Sequence, residues 1–320
     1  LRILVTGGLG FIGHNVVSKL ETLGHDVTIL DNCSDYGVIP KAELSFLIAE
    51  RQSKILAKLK YKQDIKTIDI FDINDDLDIV IHLASYPRQK VVAAHPTSGA
   101  DTMITGLVNL CEISAKRKIK KFVYISSSMV YGDFINNTTE DAVCNPKGQY
   151  GIMKLAGELL VKDYSSRGCF DYAIIRPSAV YGPSDVSDRV IAKFMLSAMQ
   201  GKTLEVNGAN EELDFTYVDD TVDGIVGAAL LSHNTNGKTY NITRGRSRNL
   251  LEAAEIAIDI VGKGNIKINS KSLDFPSRSA LNLDSARRDF DFNPTIDLEA
   301  GLARYHDYLR HSTFWSSKAV

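Results

Sequence analysis

Apolar and polar positions change period repeatedly along the first half of the chain. Ile3-Leu4-Val5 is a short, wholly apolar run, Phe11 to Leu23 carries apolar residues at helical spacing, and Val27-Thr28-Ile29-Leu30 resumes the run. Strand, helix and strand in that order predict a βαβ unit. Ile79-Val80-Ile81-His82-Leu83 and Phe122-Val123-Tyr124-Ile125 repeat the strand signature, with a helical stretch from Thr102 to Arg117 between them. Strands without polar alternation are covered on both faces, so a parallel sheet flanked by helices is expected. From Lys41 to Lys60, the residues Leu44, Leu47, Ile48, Arg51, Ile55 and Leu59 recur at helical spacing, which predicts a packed surface helix. After Tyr172-Ala173-Ile174-Ile175 the alternation breaks at Pro177, Gly182-Pro183 and Gly208. We therefore expect an α/β domain over residues 1–178 and a smaller lobe from 179–212 and 244–320, with strands in 213–243 able to rejoin the first sheet.

Composition narrows the function classes. The chain has 320 residues, 44% hydrophobic and 24% charged, which suits a folded protein with more than one lobe. Lys+Arg minus Asp+Glu is 37 − 39 = −2, so no global positive field favours nucleic acid or an anionic membrane. Cys33, Cys111, Cys144 and Cys169 lie far apart and form no CxxC or Cys/His cluster, so neither a disulfide framework nor a metal site is expected, and a cytoplasmic location fits. No apolar run approaches the roughly 18 residues of a membrane span, and no basic or apolar leader pattern opens the chain.

Two motifs carry chemistry. Gly7-Gly8-Leu9-Gly10-Phe11-Ile12-Gly13 follows a strand and opens a helix. Gly7 permits the tight turn, Gly10 lets backbone approach a pyrophosphate, Gly13 lets helix and strand pack closely, and the helix N-terminus faces the anion. Asp31 ends the next strand, where a carboxylate accepts from both adenosine ribose hydroxyls and repels a 2′-phosphate, so NAD is expected over NADP. A cap leading into Asn32 is the plainer reading of Asp31. The second motif is Tyr150-Gly-Ile-Met-Lys154 with Ser126-Ser127-Ser128 at a strand end. Four-residue spacing puts Tyr150 and Lys154 on one helical face, where an ammonium lowers the phenol's pKa toward a usable acid/base. Tyr86 and Lys90 share the spacing, but Pro87 argues for a loop there.

With these motifs assembled, the chain resembles the extended short-chain dehydrogenase/reductases of the nucleotide-sugar epimerase and dehydratase branch. The resemblance runs through Thr6 to Gly13, Asp31, Asp69-Ile70, His82-Leu83-Ala84, Ser126 to Gly132, Tyr150 to Lys154, Arg176-Pro177 to Pro183, and Phe215 to Asp220. It implies a doubly wound parallel Rossmann sheet with a smaller C-terminal substrate lobe, and an NAD-dependent nucleotide-sugar 4-epimerase acting through a 4-keto intermediate. Ser127, Tyr150 and Lys154 would be catalytic. Gly7, Gly10, Phe11, Ile12, Gly13, Asp31, Asn32, Asp69, Ile70, Leu83, Ala84, Tyr150 and Lys154 would hold NAD. Ser127, Tyr150, Arg189 and Arg278 would bind the sugar nucleotide, and a homodimer through the helices near 102–117 and 150–161 is implied. Ser128 and Met129 replace the Asp-Glu pair of the dehydratases, which argues against dehydration, while Met103, Ala179 and Leu213 depart from the usual substrate residues. A net nucleotide-sugar 4-dehydrogenase or ketoreductase, on a hexose or heptose, is the alternative. A non-catalytic dinucleotide sensor would need the glycine loop but not Ser127, Tyr150 and Lys154 together.

Overall fold

The computed structural model describes residues 1–57, 59–69, 72–73, 76–231, 235–271 and 275–316, with only the backbone described at Lys60. The first half alternates as its pattern requires: β1 (Arg2–Thr6), α1 (Phe11–Thr22), β2 (Asp26–Leu30), α2 (Lys41–Ser53), β3 (Leu59–Tyr61) and β4 (Ile79–His82). There follow α3 (Gly106–Lys116), β5 (Lys121–Ile125), α4 (Gln149–Ser166) and β6 (Asp171–Pro177). Beyond it lie α5 (Val190–Met199), α6 (Val218–Leu230), β7 (Lys238–Ile242), α7 (Leu250–Val261) and α8 (Leu298–His311).

Seven strands form one sheet in the order β7-β6-β5-β4-β1-β2-β3, and every pairing is parallel. Period-2 geometry sorts the apolar runs between its two faces. Ile3, Val5, Ile29, Ile81 and Val123 join one core with Val16, Val17 and Leu20 of α1 and Ile225 of α6. Leu4, Leu30, Val80, Phe122 and Tyr124 join the other with Leu107 and Leu110 of α3 and Val161 of α4. This is a doubly wound sheet, covered on both sides.

The helix expected over 41–60 ends at Ser53. Leu59–Tyr61 instead pairs with Ile29 and Leu30 as the edge strand, because Tyr61 gains burial against Leu30 in the second core. The Thr239–Ile242 signal joins the sheet beside β6, whereas Thr216–Tyr217 pairs with Val180–Tyr181 in a separate two-stranded ribbon. The remaining C-terminal strands also pair among themselves, Thr203–Asn207 with Asn265–Asn269 and Glu212–Leu213 with Arg248–Asn249. Asn249 caps α7 by accepting from the Glu252 amide at 2.8 Å, with Glu252 returning the bond in a capping box.

Beneath the C-terminal strand ends, Glu158 of α4 and Arg176 of β6 form a wholly buried pair. Arg176 Nε donates to Glu158 Oε1 at 2.9 Å and Nη2 to Oε2 at 2.6 Å, with side chains 4% and 0% exposed. Glu158→Gln removes one ion of a desolvated pair, so unfolding free energy should fall by about 3–5 kcal/mol in urea titration. A loss under about 1 kcal/mol, the range of exposed pairs, would show that this contact does not hold α4.

Candidate active site

A cavity of about 530 Å³ opens beyond the C-terminal ends of the strands, the position where doubly wound sheets bind ligands. The loops after β1, β2, β4, β5 and β6 all contribute to its wall.

Its floor is the glycine loop. Gly7 has φ +69°, and a Cβ there would stand 2.8 Å from the Ala84 amide nitrogen; at Gly13 a Cβ would stand 2.1 Å from the Gly7 carbonyl oxygen. Only hydrogen fits either place. Gly10 begins α1 without a side-chain cap, so the first-turn amides face the cavity as an anion site. Phe11, Ile12, Leu83 and Ala84 line the same wall. Asp31 Oδ2 accepts from the Leu9 amide at 2.9 Å and Oδ1 from the Cys33 amide at 2.8 Å, so the capping role and a place on the cavity wall coexist. Each carboxylate oxygen keeps a second lone pair, enough for two ribose hydroxyls. Burial raises the Asp31 pKa, opposed by these amides and by the Arg51 charge. Asn32 also lines the cavity, with its amide donating to Asp64 at 3.1 Å. The residues present therefore fit a dinucleotide.

Asp69 does not join them. It is exposed, its amide donates to Asp72 at 2.8 Å, and Gln63 and Ile65 furnish this part of the wall, because the chain turns before Asp69 and leaves it toward solvent. Ile70 lies outside the described residues.

Opposite the floor, α4 and the end of β5 bring Ser127, Tyr150 and Lys154 together on the cavity wall. Ser127 Oγ accepts from the Met129 amide at 3.2 Å, capping the short 3₁₀ turn Ser128–Tyr131, and its hydroxyl favours the ionised form of Tyr150. Ser126 points the other way and donates to Glu158 Oε1 at 2.5 Å. Lys154 Nζ donates to the Ile125 carbonyl at 2.8 Å and sits 5.9 Å from the Tyr150 ring centre. The lowered phenol expected from the four-residue spacing is not found. Burial pushes Tyr150 up, with the Ser127 hydrogen bond and the Arg189 charge opposing it, while burial pulls Lys154 down to about 7 against the attraction of Glu158.

Arg189 and Arg278 both line the cavity. Arg189 Nη2 donates to the Val180 carbonyl at 3.3 Å. Arg278 Nη1 reaches the Met129 thioether at 3.9 Å, and burial together with the Arg189 charge lowers its pKa to about 10. Ala179, at φ +40°, and Leu213 are cavity residues too, whereas Met103 is core. Tyr86 occupies a loop, as Pro87 implies, and packs edge-on against Tyr36 with ring centres 4.8 Å apart.

Sequence reasoning overlooked Arg51, Arg88 and Asp185. Arg51 is buried, and donates to Leu9 O at 3.1 Å and to Ser184 O at 2.8 and 3.2 Å, joining the glycine loop to the loop after β6. Its position among apolar residues of the α2 stripe was the available signal. No comparable sign marks Arg88 or Asp185.

A glycine-floored dinucleotide cavity with a serine, a tyrosine and a lysine on its opposite wall defines an NAD-dependent α/β enzyme. The NAD-dependent epimerase/dehydratase family model matches residues 3–243, and the chain belongs to that family. It is 28% identical to the uncharacterized UDP-glucose epimerase YtcB of Bacillus subtilis (strain 168), over 97% of this chain and 98% of that protein. It is 29% identical to UDP-glucuronate 4-epimerase 1 of Arabidopsis thaliana, over 95% of this chain and 76% of the relative. Its fold is similar to the crystal structure of UDP-glucuronic acid 4-epimerase from Bacillus cereus in complex with UDP-glucuronic acid and NAD. That similarity has a TM-score of 0.88 at 27% identity, covering 96% of this chain and 98% of the other.

The lysine offers a direct check on site electrostatics. An unfolded lysine titrates near 10.5 and Lys154 in the fold near 7, so between those values the unfolded chain binds more protons and stability rises with pH. Lys154→Met removes that contribution, so the melting-temperature gain from about pH 7 to about pH 9 should be smaller in the ligand-free variant than in wild type. Equal gains would show that burial does not hold this ammonium down.

Proposed function

We propose that the protein is a UDP-sugar 4-epimerase that works through a 4-keto sugar, with Ser127, Tyr150 and Lys154 as its catalytic residues. The observation that carries this reading is the convergence of those three side chains on the cavity that the glycine loop floors. NAD, when bound, supplies the hydride acceptor and later the hydride donor. Gly7, Gly10, Phe11, Ile12, Gly13, Asp31, Asn32, Leu83 and Ala84 would hold it, with Lys154 on the ribose next to the reacting ring. Tyr150 takes the proton from the C4 hydroxyl as that carbon is oxidised and returns it to the same oxygen after the sugar has turned over. Ser127 steadies that oxygen through its hydrogen bond. Arg278, whose guanidinium has only a thioether as a hydrogen-bond partner among the described residues, and Arg189 are the cations we assign to the substrate diphosphate. The relatives' names, which give UDP-glucose or UDP-glucuronate, support the UDP-sugar class. Four free cysteines suit a reducing cytoplasm.

Tyr150→Phe should lower turnover by roughly 10²–10⁴-fold while NAD still binds. Ser127→Ala should be milder, and Tyr86→Phe should leave the chemical step unchanged. Near-normal turnover of Tyr150→Phe would sink the assignment. The assay should follow both epimer formation and NADH, since accumulating NADH without epimer would mark a dehydrogenase instead.

We further propose a homodimer through α3 and α4. Ile152 and Leu159, 52% and 60% exposed, stand seven residues apart on α4 and so share one outward stripe. Light scattering should give twice the 35.2 kDa chain mass, and Leu159→Glu should return it to that mass. A wild-type protein with only the single-chain mass at micromolar concentration would contradict the dimer.

A further inference from the structure

The helix that carries Tyr150 begins without a cap of its own. At the start of α4 the capping place is held by Gly148, which offers no side-chain acceptor, and the first turn contains no acidic residue. An α-helix leaves its first amides without partners inside the helix, and fraying here would loosen the Tyr150 backbone itself. The acceptor comes from a distant part of the chain. Gln89, which opens the short helix Gln89–Ala94 after β4, takes the Tyr150 amide on its Oε1 at 3.1 Å. Because a backbone amide only donates, the carboxamide lies with its oxygen on Tyr150 and its nitrogen over Gly148. A Cβ at Gly148 would stand 1.8 Å from that nitrogen, and Gly148 holds φ +80°. The residue that cannot cap the helix is thus the one that leaves room for the cap.

The same turn is docked as closely elsewhere. At Gly151 a Cβ would stand 2.6 Å from the Met129 carbonyl oxygen, so a second bare position lets α4 settle on the turn that Ser127 caps. Glycine is a poor helix former, and the pair flanking Tyr150 in Gly148-Gln149-Tyr150-Gly151 is accounted for by close approach rather than by helix stability. Gln89 is not free to follow a moving helix. Its neighbour Arg88 is tied to the Asp188 carbonyl at 3.3 Å and to the Asp188 carboxylate. Glu158 is anchored about two turns further along α4, too far to keep the first turn from fraying.

We propose that Gln89 is a positioning residue of the active site: its carboxamide oxygen caps α4 at the Tyr150 amide and so holds the Tyr150 hydroxyl at the depth that proton transfer requires. Gln89 acts through Tyr150, and the inference rests on the proposed role of Tyr150 in taking the C4 hydroxyl proton. A direct substrate contact is the competing role, since Gln89 also lines the cavity.

The test measures NAD binding, and kcat and KM with UDP-glucose and with UDP-glucuronate, in Gln89→Met, Gln89→Glu, Tyr150→Phe and the double variant Gln89→Met/Tyr150→Phe. Methionine matches glutamine in length but has no carbonyl oxygen, whereas glutamate keeps an oxygen in that place. Gln89→Met should lower kcat by about tenfold, with KM and the NAD dissociation constant within about twofold, and Gln89→Glu should hold kcat within about threefold of wild type. In the Tyr150→Phe background no hydroxyl remains to be placed, so Gln89→Met should change kcat by less than about twofold. Residue-resolved hydrogen exchange reads the cap directly: the Tyr150 amide should exchange about tenfold faster or more in Gln89→Met, with the amides around Glu158 unchanged. An unchanged kcat in Gln89→Met overturns the proposal. So does a loss confined to KM, which marks a substrate contact, or a loss that persists in full without the Tyr150 hydroxyl. Gln89→Glu as impaired as Gln89→Met overturns it too, because the oxygen would then not be the part that matters. Should Gln89→Met fail to fold, Gln89→Ser takes its place in every measurement. Near-normal turnover of Tyr150→Phe removes the functional reading and this role together, whereas a crippled Tyr150→Phe beside an unaffected Gln89→Met removes the role alone.

Discussion

The buried Glu158–Arg176 pair is the contact on which the geometry of the active wall depends. Tyr150, Lys154 and Glu158 recur every fourth residue on α4, so they share one face and the rotation of the helix about its axis sets all three at once. Glu158 is clamped at the bottom of that face by both arms of the Arg176 fork and by Ser126. Arg176 in turn donates to the Tyr131 hydroxyl at 2.9 Å, which donates to Asn241 at 2.7 Å. One polar network therefore ties α4 to the ends of β5, β6 and β7. Apolar side chains of similar volume would pack as well or better, but they would allow α4 to rotate, and a rotation of one residue would carry Tyr150 out of the cavity.

The opposite wall depends on α2 in a comparable way. Glu43, Glu50 and Arg51 all turn toward the loop after β6, and Arg51 also grips the glycine loop, so a single helix sets the distance between those two loops. The C-terminal segment packs on the same helix. Phe314 stacks on Phe46 with ring centres 4.6 Å apart, and the Tyr308 hydroxyl donates to Glu50 at 2.8 Å. The end of the chain thus bears on the site through one intervening helix.

The legible parts of the fold were those in which local pattern and global packing agree. Continuous apolar runs gave β1, β2, β4, β5 and β6, and the glycine spacing matched a turn in which added Cβ atoms would collide with Ala84 and Gly7. Ser127, Tyr150 and Lys154 could be singled out together because their spacing and order are local properties, and the fold brings all three to the cavity wall. β3 was hidden, since three residues beside a helical pattern carry too little period to compete, and its pairing with β2 decides the matter. The Tyr150 ionisation was misread for a similar reason. Spacing reports that a lysine is near, while the direction of the shift comes from the depth of the cavity, which no spacing encodes. Arg88 and Asp185 left no mark because the loops after β4 and β6 that carry them come to one cavity only in the folded sheet.

Burial acts on Tyr150 and Lys154 in the same sense, pushing each toward its neutral form. A neutral phenol beside a neutral amine and a phenolate beside an ammonium carry the same total charge, so conversion between them needs no net ion to enter the cavity. What it needs is a field that favours separating the charges. Glu158 stands one turn below Lys154 and favours the ammonium, while Arg189 bears on Tyr150 from across the cavity and favours the phenolate. The two fixed charges polarise the pair in one direction, and the low dielectric that suppresses each ion alone strengthens their pull on the separated pair. A deep site thereby keeps the Tyr150 phenol protonated at rest and still within reach of its phenolate form. The buried pair that sets the rotation of α4 supplies one of those two charges.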